Sequence, residues 1–102
     1  MPWIKVAKTS DIPTGQIRSF ALEGHSPLAI AHLEDGFFAI DDTCTHAQCS
    51  LGEGMMIEHE VECHCHGSRF DVKTGAVRFL PATLPIKQYS LKVEGEDILI
   101  EV

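Results

Sequence analysis

The sequence predicts an all-β domain, and three observations carry that prediction. Apolar residues fall in short runs that alternate with polar ones or are rich in β-branched residues; turn residues separate those runs; no segment sustains a 3.6-residue period. At 102 residues the chain forms one domain, 1–102, large enough for a modest core and small enough to gain from a cofactor that cross-links it.

Taken in order, strands are expected at 4–7, 16–22, 28–33, 37–40, 55–57, 61–63, 68–71, 89–93 and 98–102. Glu34-Asp35-Gly36 and Glu94-Gly95-Glu96 read as hairpin turns in which glycine supplies a positive φ, and His59-Glu60 reads as a third. Residues 9–13 support one short helical turn, with Ser10 as its cap. Trp3, Phe20, Phe37 and Phe38 lie on strand patterns and are expected in the core or half buried. Met55-Met56 is read as packing.

Composition removes several function classes. Eight basic residues against fifteen acidic ones give a formal charge of −7, opposite to the basic patch that nucleic acid demands. No run approaches the roughly 20 apolar residues of a membrane span, and the N-terminal residues carry neither a signal-peptide run nor a twin-arginine pair. A cytoplasmic protein without membrane attachment is expected. Gly52-Glu53-Gly54 opens like a dinucleotide fingerprint, but Ile57 stands at the third glycine position and no helical pattern follows. No Walker motif, catalytic Ser–His pairing or 2-His-1-carboxylate set is present.

Chemistry concentrates in the middle of the chain. Cys44-Thr45-His46 is a Cys-x-His step; after sixteen residues, Cys63-His64-Cys65-His66 contains a Cys-x-x-His step. Each step offers one thiolate and one imidazole. A Rieske-type [2Fe–2S] centre needs that mixed set, two cysteines holding one iron and two histidines the other. Cys₂His₂ is also a zinc set, but structural zinc sites usually pair like with like at short spacing. All four cysteines, 44, 49, 63 and 65, fall within 22 consecutive residues, a clustering that suits a metal site better than a secreted disulfide scaffold. A hairpin between the two steps would bring their loops side by side at one tip.

At these residues the chain resembles the Rieske ferredoxins. Cys44-Thr45-His46 and Cys63-x-x-His66-Gly67 resemble the two binding boxes of that family, Ser68-Arg69-Phe70-Asp71 and Thr74-Gly75 continue in its manner, and Leu80-Pro81-Ala82 stands where the family carries a proline loop. By size the chain is similar to the ferredoxin component of bacterial aromatic-ring-hydroxylating dioxygenase systems. The resemblance implies an antiparallel β-sandwich with a small inserted cluster-binding subdomain, roughly 42–80. It implies one [2Fe–2S] cluster held by Cys44, His46, Cys63 and His66, and no catalysis by the chain itself. It also implies a one-electron carrier, a monomer, between a flavin-containing reductase and a terminal Rieske non-haem iron oxygenase that dihydroxylates aromatic rings. The alternative within the family is the Rieske-like small subunit of an assimilatory nitrite reductase; outside it, a zinc-dependent structural module.

The resemblance also frames the remaining residues. Cys49 and Cys65 match a disulfide that ties the two loops in respiratory and photosynthetic Rieske proteins and that many dioxygenase ferredoxins lack; a reducing cytoplasm favours two thiols instead. Ser68 matches a serine that bonds a cluster sulfide in the respiratory type, while Phe70 replaces a tyrosine expected nearby. Ala47, Leu51, Leu80 and Pro81 are expected as an apolar collar around the histidine tips. His64 is expected as an exposed loop residue, and His25, His32 and His59 as surface residues.

Overall fold

The computed structural model describes residues 3–45, 49–65, 67–80 and 84–101. The strands are β1 Trp3–Lys8, β2 Gln16–Leu22, β3 His25–Leu33, β4 Gly36–Asp41, β5 Met55–Ile57, β6 Glu60–Glu62, β7 Arg69–Asp71, β8 Val77–Phe79, β9 Gln88–Tyr89, β10 Leu91–Glu94 and β11 Asp97–Glu101. They form three antiparallel sheets with orders β1-β11-β10, β2-β3-β4-β9 and β5-β6-β7-β8. Short 3₁₀ turns occur at Thr9–Asp11 and Leu51–Glu53. The all-β expectation holds.

The β2-β3-β4-β9 sheet is the middle layer, and β3 shows why. Side chains alternate across a strand, yet Leu28, Ala29, Ile30 and Ala31 are all buried. Leu28 and Ile30 pack with Ala7, Ala39, Ile98 and Ile100 between this sheet and β1-β11-β10. Ala29, Ala31 and Leu33 face the other way and pack with Cys44, Leu51, Val61, Cys63, Phe70 and Val72. The continuously apolar run is therefore a strand covered on both faces. Burying Leu28 and Ile30 contributes about 1.5–3 kcal/mol each.

Besides shifted strand ends and the unexpected 3₁₀ turn at Leu51–Glu53, the observed elements differ from the expected ones in four places. The run 89–93 is two strands, because the chain crosses between sheets at Ser90: β9 pairs with β4 and β10 with β11. The alternation of Tyr89, Leu91 and Val93 continues through that corner, which hides it from sequence. β8 was not expected, since Val77-Arg78-Phe79 is short and its side chains are half-buried or exposed. The third hairpin turns at Glu58-His59, one residue earlier than expected, with Ile57 opposite Glu60 and Glu58 at φ 57°. At 9–11 the cap position is Lys8 and not Ser10: the Lys8 N–H donates to Asp11 Oδ2 at 2.9 Å.

Two hairpins match the expected turn chemistry. Gly95, at φ 61°, sits between Glu94 and Asp97, which pair directly. Leu33 pairs with Gly36 across Glu34-Asp35. Phe20, Phe37 and Phe38 are half buried, whereas Trp3 is exposed and carries the Lys92 ammonium 4.5 Å from its ring centroid. Met56 packs against the core and Met55 is exposed.

Candidate cluster site

Two loops at one end of the β5–β8 sheet carry the residues expected as ligands. The first leaves β4 and returns into the 3₁₀ turn at Leu51. Thr43 bridges to Ser50, the Cys44 N–H donates to the Cys49 carbonyl at 2.9 Å, and the Leu51 N–H donates to the Asp42 carbonyl at 2.6 Å. The second loop joins β6 to β7. The Cys63 N–H donates to the Ser68 carbonyl at 2.7 Å and the Gly67 N–H to the Cys63 carbonyl at 3.0 Å. Gly67 sits at φ 78°, where a side chain would be strained.

The loops lie side by side and are covalently joined. Cys49 and Cys65 form a disulfide with Cα atoms 6.5 Å apart, so the bonded alternative holds over the two-thiol one. Cys44 and Cys63 remain outside the bond, both about 1% exposed. The sulfurs of Cys49, Cys63 and Cys65 lie within 4.8 Å of one another. Two of those three are consumed in the disulfide and offer no thiolate, so the trio is not itself a metal site. The soft donors left for a metal are Cys44 and Cys63.

Beneath the two cysteines is an apolar floor of Leu51, Val61, Phe70 and Ile86. Leu51 belongs to this floor and is fully buried, rather than to an outer collar. Leu80 is 74% exposed and Leu84 63%, so the apolar residues at the outer edge face outward. A third segment is tied to the first loop by the Thr45 hydroxyl, which donates to the Leu84 carbonyl at 2.9 Å. His46, His66, Ala47 and Pro81 lie outside the described residues.

The other histidines sort as follows. His64 is exposed, as expected, with Nε2 3.8 Å from the Cys65 sulfur. His25, His32 and His59 are half buried, not plain surface residues. The Nδ1–H of His32 donates to the Ile12 carbonyl at 2.7 Å and its ring stacks on Phe37. His25 meets the Tyr89 ring edge-on. His59 Nδ1 lies 3.2 Å from Asp71 Oδ2, off the line of a hydrogen bond. An open groove of about 540 Å³, lined by residues including Leu33, Asp35, Met56, His59 and Lys73, contains none of the residues expected as ligands.

The donor set fits an iron–sulfur cluster. Two thiols buried on an apolar floor, on loops closed by N–H bonds and by a disulfide, give the soft sulfur side of a mixed cysteine–histidine centre. An all-β chain built this way is an iron–sulfur protein of the Rieske class. The chain belongs to the Rieske [2Fe-2S] domain family, which it matches over residues 2–90. It is 35% identical over 102 residues to the ferredoxin component of biphenyl 2,3-dioxygenase from Rhodococcus jostii (strain RHA1), covering 100% of this chain and 94% of the relative. It is 41% identical over 95 residues to ferredoxin CarAc of Metapseudomonas resinovorans, covering 92% and 89%. Its fold superposes with a TM-score of 0.90, at 37% identity over 96% of this chain and 91% of the other, on a chain in a complex of reduced oxygenase and oxidised ferredoxin of carbazole 1,9a-dioxygenase. Among the described residues, no helix is long and apolar enough to cross a membrane.

Sequence reasoning found the two cysteine steps but missed Asp42 and Thr45 as loop-holding residues. Asp42 was legible in principle: an aspartate at a strand end, with a serine and a glycine near the loop's return, is a common local acceptor pattern.

Proposed function

We propose that this chain is a one-electron carrier that takes electrons from a flavin-containing reductase and delivers them to a terminal Rieske non-haem iron oxygenase acting on aromatic rings. The carrying observation is the pair of buried thiols, Cys44 and Cys63, on disulfide-tied loops. Cys44 and Cys63 would hold one iron and His46 and His66 the other, within a cluster-binding subdomain of roughly 42–80. The bound cluster supplies a centre that accepts and returns a single electron.

The chain's own residues do the rest. Leu51, Val61 and Phe70 exclude water beneath the thiols, and the disulfide holds the two loops in register. The acidic surface suits brief, electrostatically guided contacts with larger partners. Full-length likeness to dioxygenase ferredoxins supports this reading over the nitrite reductase small subunit. The protein is read as a cytoplasmic monomer.

Reconstitution tests the proposal. The reduced protein, a monomer on gel filtration, should pass electrons to an aromatic-ring oxygenase, at a rate that changes as salt shortens the Debye length from about 30 Å to about 8 Å. A stable complex with a larger enzyme, or no transfer to any such oxygenase, contradicts it.

A further inference from the structure

Asp42 is one of three buried polar or charged residues among those described, at 5% exposure. It follows β4 and stands at the base of the first binding loop. Its hydrogen bonds close that loop and join it to the sheet below. Its N–H donates to the Pro27 carbonyl at 3.1 Å, and its carbonyl accepts from Leu51 N–H. Its Oδ1 accepts from the Ser50 hydroxyl at 2.9 Å and from the Gly52 N–H at 2.8 Å. Ser50, Leu51 and Gly52 are the returning end of the loop that contains Cys44, His46 and Cys49.

Gly52 adds a second constraint. A Cβ at this position would lie 2.5 Å from both Ser19 Cβ and the Ser19 backbone nitrogen, so the turn Asp42 captures is pressed directly onto β2. The loop's departing end is thus fixed to β3 through Pro27 and its returning end to β2 through Gly52, with one side chain bridging the two. Cys44 lies two residues beyond Asp42.

We propose that Asp42 is a positioning residue for the cluster: its Oδ1 closes the loop 42–52 and thereby sets the Cys44 sulfur. This rests on the reading of Cys44 as a ligand. Because both side-chain bonds fall on Oδ1, an asparagine that keeps its oxygen there retains both, whereas alanine leaves two donors unmet in a buried site.

The test compares the purified holoprotein with Asp42→Ala, Asp42→Asn and Ser50→Ala. Hydrogen exchange is read on peptides covering 42–54 and, as a reference, 97–101, alongside loss of visible absorbance under an iron chelator. Asp42→Ala should exchange about tenfold faster across 42–54 and lose its absorbance about as much faster, while 97–101 stays unchanged. Asp42→Asn should behave as the parent protein does. Exchange that is unchanged, or raised equally in 97–101, overturns the proposal, as does an asparagine variant as impaired as the alanine one. If Asp42→Ala does not accumulate folded, Ser50→Ala decides: faster exchange confined to 42–54 supports the clamp, and no change overturns it. A colourless parent protein would instead overturn the electron-carrier reading, while the exchange comparison still reports on the clamp.

Discussion

At the residue scale, the site separates its cysteines by burial and bonding. Cys44 and Cys63 are buried outside any disulfide, and Cys49 and Cys65 lock the loops. Their spacing made Cys44 and Cys63 legible as a pair in sequence; whether Cys49 and Cys65 were bonded was not, because closure depends on how two distant loops meet. Ser68 is fully buried, and its carbonyl receives the Cys63 N–H. A hydroxyl bonded near the cluster sulfurs favours the reduced, more negative state. Ser68→Ala should therefore lower the reduction potential by roughly 65–130 mV, the one-electron equivalent of about 1.5–3 kcal/mol for a hydrogen bond to a charged group. An unchanged potential in a redox titration would remove Ser68 from that role.

Tyr89, the single tyrosine, gives a second residue-scale prediction. Burial, then the hydrogen bond and charge of Asp41, push its phenol well above the usual range. An unfolded tyrosine ionises near pH ~10, while the folded one keeps its proton. The contribution of this group is therefore fully present below that pH and is lost as pH rises above it. Tyrosinate absorbance should appear only together with unfolding, and Tyr89→Phe should flatten the alkaline loss of Tm. Ionisation of Tyr89 near pH ~10 in the folded protein would contradict the contact.

At the scale of elements, strands with ordinary alternation were readable and their ends shifted by only a few residues. What sequence hid were features with no periodic signal: the crossing at Ser90, the short β8, and the 3₁₀ turn at Leu51–Glu53. That turn matters because it seats the first loop on β2. Gly52→Ala should destabilise the protein by about 1–3 kcal/mol, the usual cost of overpacking, read as a lower denaturant midpoint at unchanged slope. An unaltered midpoint would mean that the turn does not press on Ser19.

At the scale of the whole molecule, three stacked sheets explain the sequence's plainest anomaly, the unbroken apolar run of β3. One face builds the two-sheet base, and the other forms the floor under Cys44 and Cys63. The cluster site is thus an extension of the core, and the core's integrity and the site's are coupled. Fold class and the two cysteine steps were legible because both leave short-range marks, a strand period and a Cys-x-His or Cys-x-x-His spacing. The clamp by Asp42 leaves only the local pattern of an aspartate with a serine and a glycine at the loop's return, and the tie from Thr45 to Leu84 joins separate segments and leaves none.

The function proposed for this chain depends on a mixed cysteine–histidine [2Fe–2S] centre held by this fold. The measurement that tests it most directly is electron paramagnetic resonance of the dithionite-reduced protein, purified without air, with iron and sulfide counted on the same sample. About two irons and two sulfides per chain are expected, with a signal whose average g lies below that of an all-cysteine cluster. A silent spectrum with zinc in place of iron would contradict it and leave a structural module.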